Sequence, residues 1–85
     1  MRVFKYPFSP TDVFTIEMPQ GAEVLHVDMQ NQTPCIWAKV DPDAPTVNRR
    51  FRMAGTGYDL GDVAAHVGTI FMADGNLVFH LFEID

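Results

Sequence analysis

A two-residue period runs through most of this chain, cut by turn residues about every 8–12 positions, and nothing else in the sequence constrains the fold as much. Phe14, Ile16 and Met18 alternate with Val13, Thr15 and Glu17. Leu25, Val27 and Met29 alternate with His26, Asp28 and Gln30. Successive side chains of a strand point to opposite faces, so each segment offers an apolar face to a core and a polar face to water. Cys35 to Val40, Thr46 to Met53, Val67 to Met72 and Leu77 to Glu83 continue the series. Turn chemistry separates them at Pro19-Gln20-Gly21, Asn31-Gln32-Thr33-Pro34, Asp41-Pro42-Asp43-Ala44-Pro45 and Ala73-Asp74-Gly75-Asn76. Only Tyr58 to Ala65 has weak helical character, with Asp59 or Asp62 available to cap one turn.

These signals predict an all-β, mainly antiparallel fold of about seven short strands with at most one short helical turn. Eighty-five residues leave room for one domain, spanning 1–85, and one core. A small partly open barrel or a sandwich meets that description. The barrel is the better fit to so short a chain, with an edge strand completed by a neighbouring subunit. Modest burial favours a homo-oligomer. The stretch Leu77 to Phe82, apolar on both faces apart from His80, suits a central strand or a subunit interface.

A hydrophobic fraction of 47% with 20% charged residues marks a folded chain rather than a disordered one. The net charge of −5 argues against extended nucleic acid, which requires a broad basic surface. Cys35 is the single cysteine, so there is no intrachain disulfide and no cysteine-based zinc site; it reads as a packing residue, and this usage points to the cytoplasm. Met1 to Pro7 lacks the apolar stretch of a signal peptide, and no run of about eighteen apolar residues predicts a membrane span.

Arg49, Arg50 and Arg52 supply three of the six Lys and Arg, and Gly55-Thr56-Gly57 follows almost at once. Guanidinium groups bind phosphate and carboxylate through forked hydrogen bonds, and the backbone N–H groups of a glycine turn add donors. Arg49, Arg50, Arg52, Gly55, Thr56, Gly57 and Tyr58 are therefore the candidate ligand-binding residues. Arg50 and Arg52 share the polar face of their strand, whereas alternation puts Arg49 on the face of Val47 and Phe51. The competing reading pairs these arginines with some of the eleven carboxylates. Gly-Thr-Gly is neither a P-loop nor a dinucleotide fingerprint here, because no strand-then-helix unit surrounds it.

The other polar residues offer less. His26, His66 and His80 lack the short spacings of a metal site, and Asp41-Pro42-Asp43 lacks the further ligands a cation needs, so neither a metal nor a cofactor is expected. His80 is expected in the core or an interface. Trp37 lies opposite Ile36 and Ala38 and is expected to anchor the core rather than a partner surface. No nucleophile–base pair is legible, which predicts a non-enzymatic binding protein for a small anionic, nucleotide-like ligand. The alternative is a protein-binding module whose acidic residues (Glu17, Asp28, Asp41, Asp43, Asp59, Asp62, Asp74) engage a basic partner.

The order of motifs also resembles a family of small proteins common in bacteriophage and prophage genomes. The likeness rests on Lys5-Tyr6-Pro7, Met18-Pro19-Gln20-Gly21-Ala22, Leu25 to Gln30, Trp37-Ala38-Lys39-Val40-Asp41, Arg50, Gly55-Thr56-Gly57, Gly68-Thr69 and Gly75 to Glu83. The family usually continues its Gly-Thr-Gly with a histidine where this chain has Tyr58, which argues against chemistry at that turn. The resemblance implies a phage accessory protein in the host cell cytoplasm, and in the alternative reading one that inhibits or redirects a host protein. It brings no activity with it.

Overall fold

The computed structural model describes residues 1–84. Its elements are β1 (Arg2–Pro7), β2 (Val13–Pro19), β3 (Glu23–Gln30), β4 (Thr33–Val40), β5 (Thr46–Gly55), β6 (Ala65–Met72) and β7 (Leu77–Ile84). They form two open antiparallel sheets, one of three strands in the order β1-β4-β3 and one of four in the order β2-β5-β7-β6. The all-β expectation holds, and of its two architectures the chain adopts the sandwich-like one.

Alternation decides which residues face inward. Ile36, Ala38 and Val40 of β4 are fully buried, as are Phe51 of β5, Ile70 of β6 and Leu81 of β7. Phe8 stacks on Phe14 at 4.4 Å between ring centroids, and Phe14 on Phe51 at 5.5 Å, which ties the β1–β2 connection into the core. Trp37 points the other way. It is half-buried on the outer face of the three-stranded sheet, 6.0 Å from the His26 ring, so it does not anchor the core.

The sheets approach each other along one side, where β3 meets β6. Both strands carry a register shift there, between Val24 and His26 and between His66 and Gly68. Such bulges bend and twist a strand. Gly68 makes the close approach possible, because a Cβ at that position would lie 2.5 Å from Val27 Cγ1. On the opposite side β1 and β2 do not pair, so the two sheets do not close into a barrel.

Two local expectations change. Asn31 and Gln32 alone form the β3–β4 turn, both with positive φ (50° and 69°), so Thr33 and Pro34 belong to β4. Two consecutive positive φ values give the turn whose twist matches a hairpin. The segment Tyr58 to Ala65 contains no helix before β6 begins at its last residue. Asp59 Oδ1 accepts from the Gly61 N–H at 3.1 Å, and Gly61 has φ 65°. A side chain that bonds its own backbone two residues on competes with the helical pattern and ends it.

Candidate functional site

The three arginines have three different environments. Arg49 faces inward at the end of the core. Its Nε donates to Glu83 Oε2 at 2.5 Å, its Nη2 to Glu83 Oε1 at 2.9 Å, and its Nη1 to the Ala22 carbonyl at 2.7 Å. Hydrogen bonding to Glu83 raises the guanidinium pKa above its ordinary value, helped by the carboxylate charge and opposed by burial. The register explains the pair. Phe51 lies opposite Glu83, and Arg49 is two residues further along the same face, within diagonal reach.

Arg52 lies on the outer face, between Val13 of β2 and Phe82 of β7. Its Nη2 donates to the Asp59 carbonyl at 2.8 Å. That bond anchors the crossover 56–64, which joins β5 to β6 past the intervening β7; Ala64 N–H, donating to the Glu83 carbonyl at 2.8 Å, anchors its far end. The Arg52 Nε is buried and has no partner among the described residues. Arg50 is exposed on the same face, opposite Thr15 and Ile84, and makes no hydrogen bond among the described residues.

The glycine turn sits at the far end of β5 from Arg49. Tyr58 N–H donates to the Gly55 carbonyl at 3.0 Å, which closes the turn, and Gly57 takes φ 90°, a conformation open to glycine. Thr56 Oγ1 lies 2.9 Å from His80 Nε2, and Thr69 Oγ1 lies 3.1 Å from His80 Nδ1. His80 is thus a half-buried outer-face residue with both ring nitrogens satisfied by hydroxyls, and it ties the turn to β6 and β7.

Two clefts adjoin this turn. One, of about 310 Å³, runs between Gly55, Thr56 and Tyr58 on one side and Asn76 to Phe79 on the other. The second, of about 250 Å³, is lined by Pro10, Thr11, Asp12 and Met53. Tyr58 and Phe79 border both. The Tyr58 ring leans on Gly55, where a Cβ would meet it at 3.1 Å. The structure therefore brings Gly55, Thr56 and Tyr58 together around a groove, with Gly57 in the same turn. It leaves Arg50 apart on the sheet face and places Arg49 at the opposite end. Arg52 joins the groove's surroundings only through Asp59, the residue after Tyr58.

Asn76 and Phe79 were not legible as site residues in the sequence. Their proximity to Tyr58 follows from the pairing of Gly55 with Phe79, a register between strands far apart in sequence. No group of three or more His, Cys, Asp or Glu side chains is placed to hold a metal among the described residues. No helix of the described chain is long and apolar enough to cross a membrane.

The chain belongs to the family described as a domain of unknown function (DUF7352), whose model matches residues 1–85. No curated protein and no solved structure matches it.

Proposed function

We propose that this member of the DUF7352 family is a non-enzymatic binding protein that holds a small anionic, ring-bearing ligand of nucleotide type in the groove around Tyr58. The observation that carries this reading is the pair of clefts sharing Tyr58 and Phe79. Two aromatic rings offer a planar ligand apolar and π contact, and Thr11, Thr56 and Asn76 add polar groups that fix orientation. Arg52, bonded to the carbonyl next to Tyr58, fixes the crossover that carries the ring, and the backbone N–H groups of the Gly55-Thr56-Gly57 turn are the donors proposed for the anionic end of the ligand. Arg49 is committed to Glu83 and has no part in binding.

The resemblance to phage and prophage proteins supports a setting in the host cell cytoplasm, where such a protein would withdraw a nucleotide signal from the host. Binding alone suffices for that role. A thermal-shift panel of mono-, di- and cyclic nucleotides tests it. At least one is expected to raise the melting temperature of the wild-type protein, and Arg52→Ala is expected to reduce that rise. A panel without any shift contradicts the reading.

A second reading has its own observation. Phe71, 62% exposed, lies on the outer face beside the β6–β7 turn that carries Asp74. An exposed aromatic beside a carboxylate suits a basic protein partner. Phe71→Ser would abolish that contact and leave nucleotide binding intact.

A further inference from the structure

The two sides of the sandwich are finished differently. Along the β3–β6 side the inward residues Val27 and Ile70 are buried. Along the β1–β2 side the inward residues Phe4 and Tyr6 of β1, and Phe14 and Ile16 of β2, pack on the core but stay only half-buried. Both strands are sheet edges. Each therefore presents a row of unpaired backbone groups ready to accept a further strand. Because β3 and β6 meet on one side, the free edges β1 and β2 lie together on the other.

The charge on these edges is opposite. β1 carries Arg2 and Lys5, whereas β2 carries Glu17 and follows directly on Asp12, all four exposed. Lys5 and Glu17 lie on the outer faces of their sheets. Beside them Val3 and Val13 are 59% and 46% exposed. Like charges repel edge pairing of β1 with β1 or β2 with β2, and opposite charges favour β1 with β2.

We propose that two copies of this chain associate through these edges, β1 of each pairing with β2 of the other. A two-fold axis between the copies relates both contacts, so the interface is isologous and closes on itself rather than growing into a fibre. Each three-stranded sheet then continues into the four-stranded sheet of the second copy, and the dimer has two seven-stranded layers. The half-buried rows Phe4–Tyr6 and Phe14–Ile16 of the two copies cover one another and extend the small core. Lys5 of one copy comes to lie on the same face as Glu17 of the other, and this ion pair occurs twice. The inference goes beyond the ligand reading and does not depend on it.

Sedimentation equilibrium of the purified full chain, without nucleotide, tests the proposal. Wild type is expected to sediment as a dimer at micromolar concentration. Lys5→Glu and Glu17→Lys are each expected to raise the dimer Kd about tenfold, because an exposed pair is lost twice in one interface. The double charge swap is expected to restore the wild-type Kd, and all three variants should keep the wild-type circular dichroism since both residues are exposed. Amide exchange should slow at β1 and β2 as concentration rises. A monomer at every concentration overturns the proposal, including the case in which these edges take an extended peptide from another protein. So does a dimer indifferent to both single reversals, a charge swap that fails to rescue, or protection at a different edge.

Discussion

Arg49 and Glu83 meet through two parallel hydrogen bonds at the end of the core, and the same guanidinium holds the carbonyl of Ala22. Three elements join there: β5, β7 and the turn into β3. Such a fork is geometrically specific, and lysine does not reproduce it. The arginine that breaks the polar alternation of β5 is a structural clamp.

Removing the clamp tests that role. Arg49→Ala would leave Glu83 partly buried without its partner and the Ala22 carbonyl unbonded, costing about 2 kcal/mol in urea unfolding, below the range for fully buried pairs because both side chains retain some solvent contact. Arg49→Lys should recover part of the loss. Nucleotide affinity measured under folding conditions should not change with either variant, which distinguishes a clamp from a ligand contact.

Gly68 sets the spacing of the seam. A methyl group added there would press into Val27 Cγ1, and valine is stiff about χ1. Gly68→Ala should destabilise the protein by about 1–3 kcal/mol, the usual cost of overpacking. Val27→Ala in the same background should return part of that, so thermal unfolding of the two single variants and the double variant should show non-additive coupling.

His80 braces the glycine turn through Thr56 and is itself braced by Thr69. His80→Leu keeps an apolar body of similar size but removes both hydrogen bonds. It should cost about 1 kcal/mol and speed amide exchange at Tyr58, whose N–H closes the turn. Unchanged exchange there would show that the turn stands without the histidine.

Arg50 and Arg52, two residues apart on one face, should separate in a binding assay. Arg52→Ala frees the crossover at Asp59, the residue after Tyr58, so affinity for a bound nucleotide should fall about tenfold, as for loss of one charge-assisted hydrogen bond that holds the ring in place. Arg50→Ala should have a smaller effect that disappears in high salt, because that side chain is exposed. Equal effects would point to a site on the open sheet face.

Strand content was legible because each core strand repeats its apolar residues at a period of two, as in Phe14-Ile16-Met18. The number of layers was not. Whether seven strands close or stay open depends on which edges meet, and that was settled by Gly68 and two register shifts that leave no periodic trace. The Tyr58–Ala65 segment misled for a local reason, since Asp59 caps no helix but bonds the N–H of Gly61. The candidate site divided likewise. Adjacency in sequence grouped Arg49, Arg50 and Arg52, but alternation and pairing sent them to a clamp, an open face and a crossover anchor. Alternation alone had already placed Arg49 with Phe51; its partner Glu83 became visible only with the β5–β7 register.

Binding in the groove around Tyr58 is tested most directly by amide chemical-shift mapping of the isotopically labelled protein during titration with nucleotides, in wild type and in Tyr58→Ala. The shifts should saturate with at least one nucleotide, cluster at Gly55 to Asp59 and Asn76 to Phe79, and vanish in the variant while its remaining spectrum stays that of the folded protein. No saturable shift with any nucleotide, or a cluster elsewhere that persists in Tyr58→Ala, would contradict it.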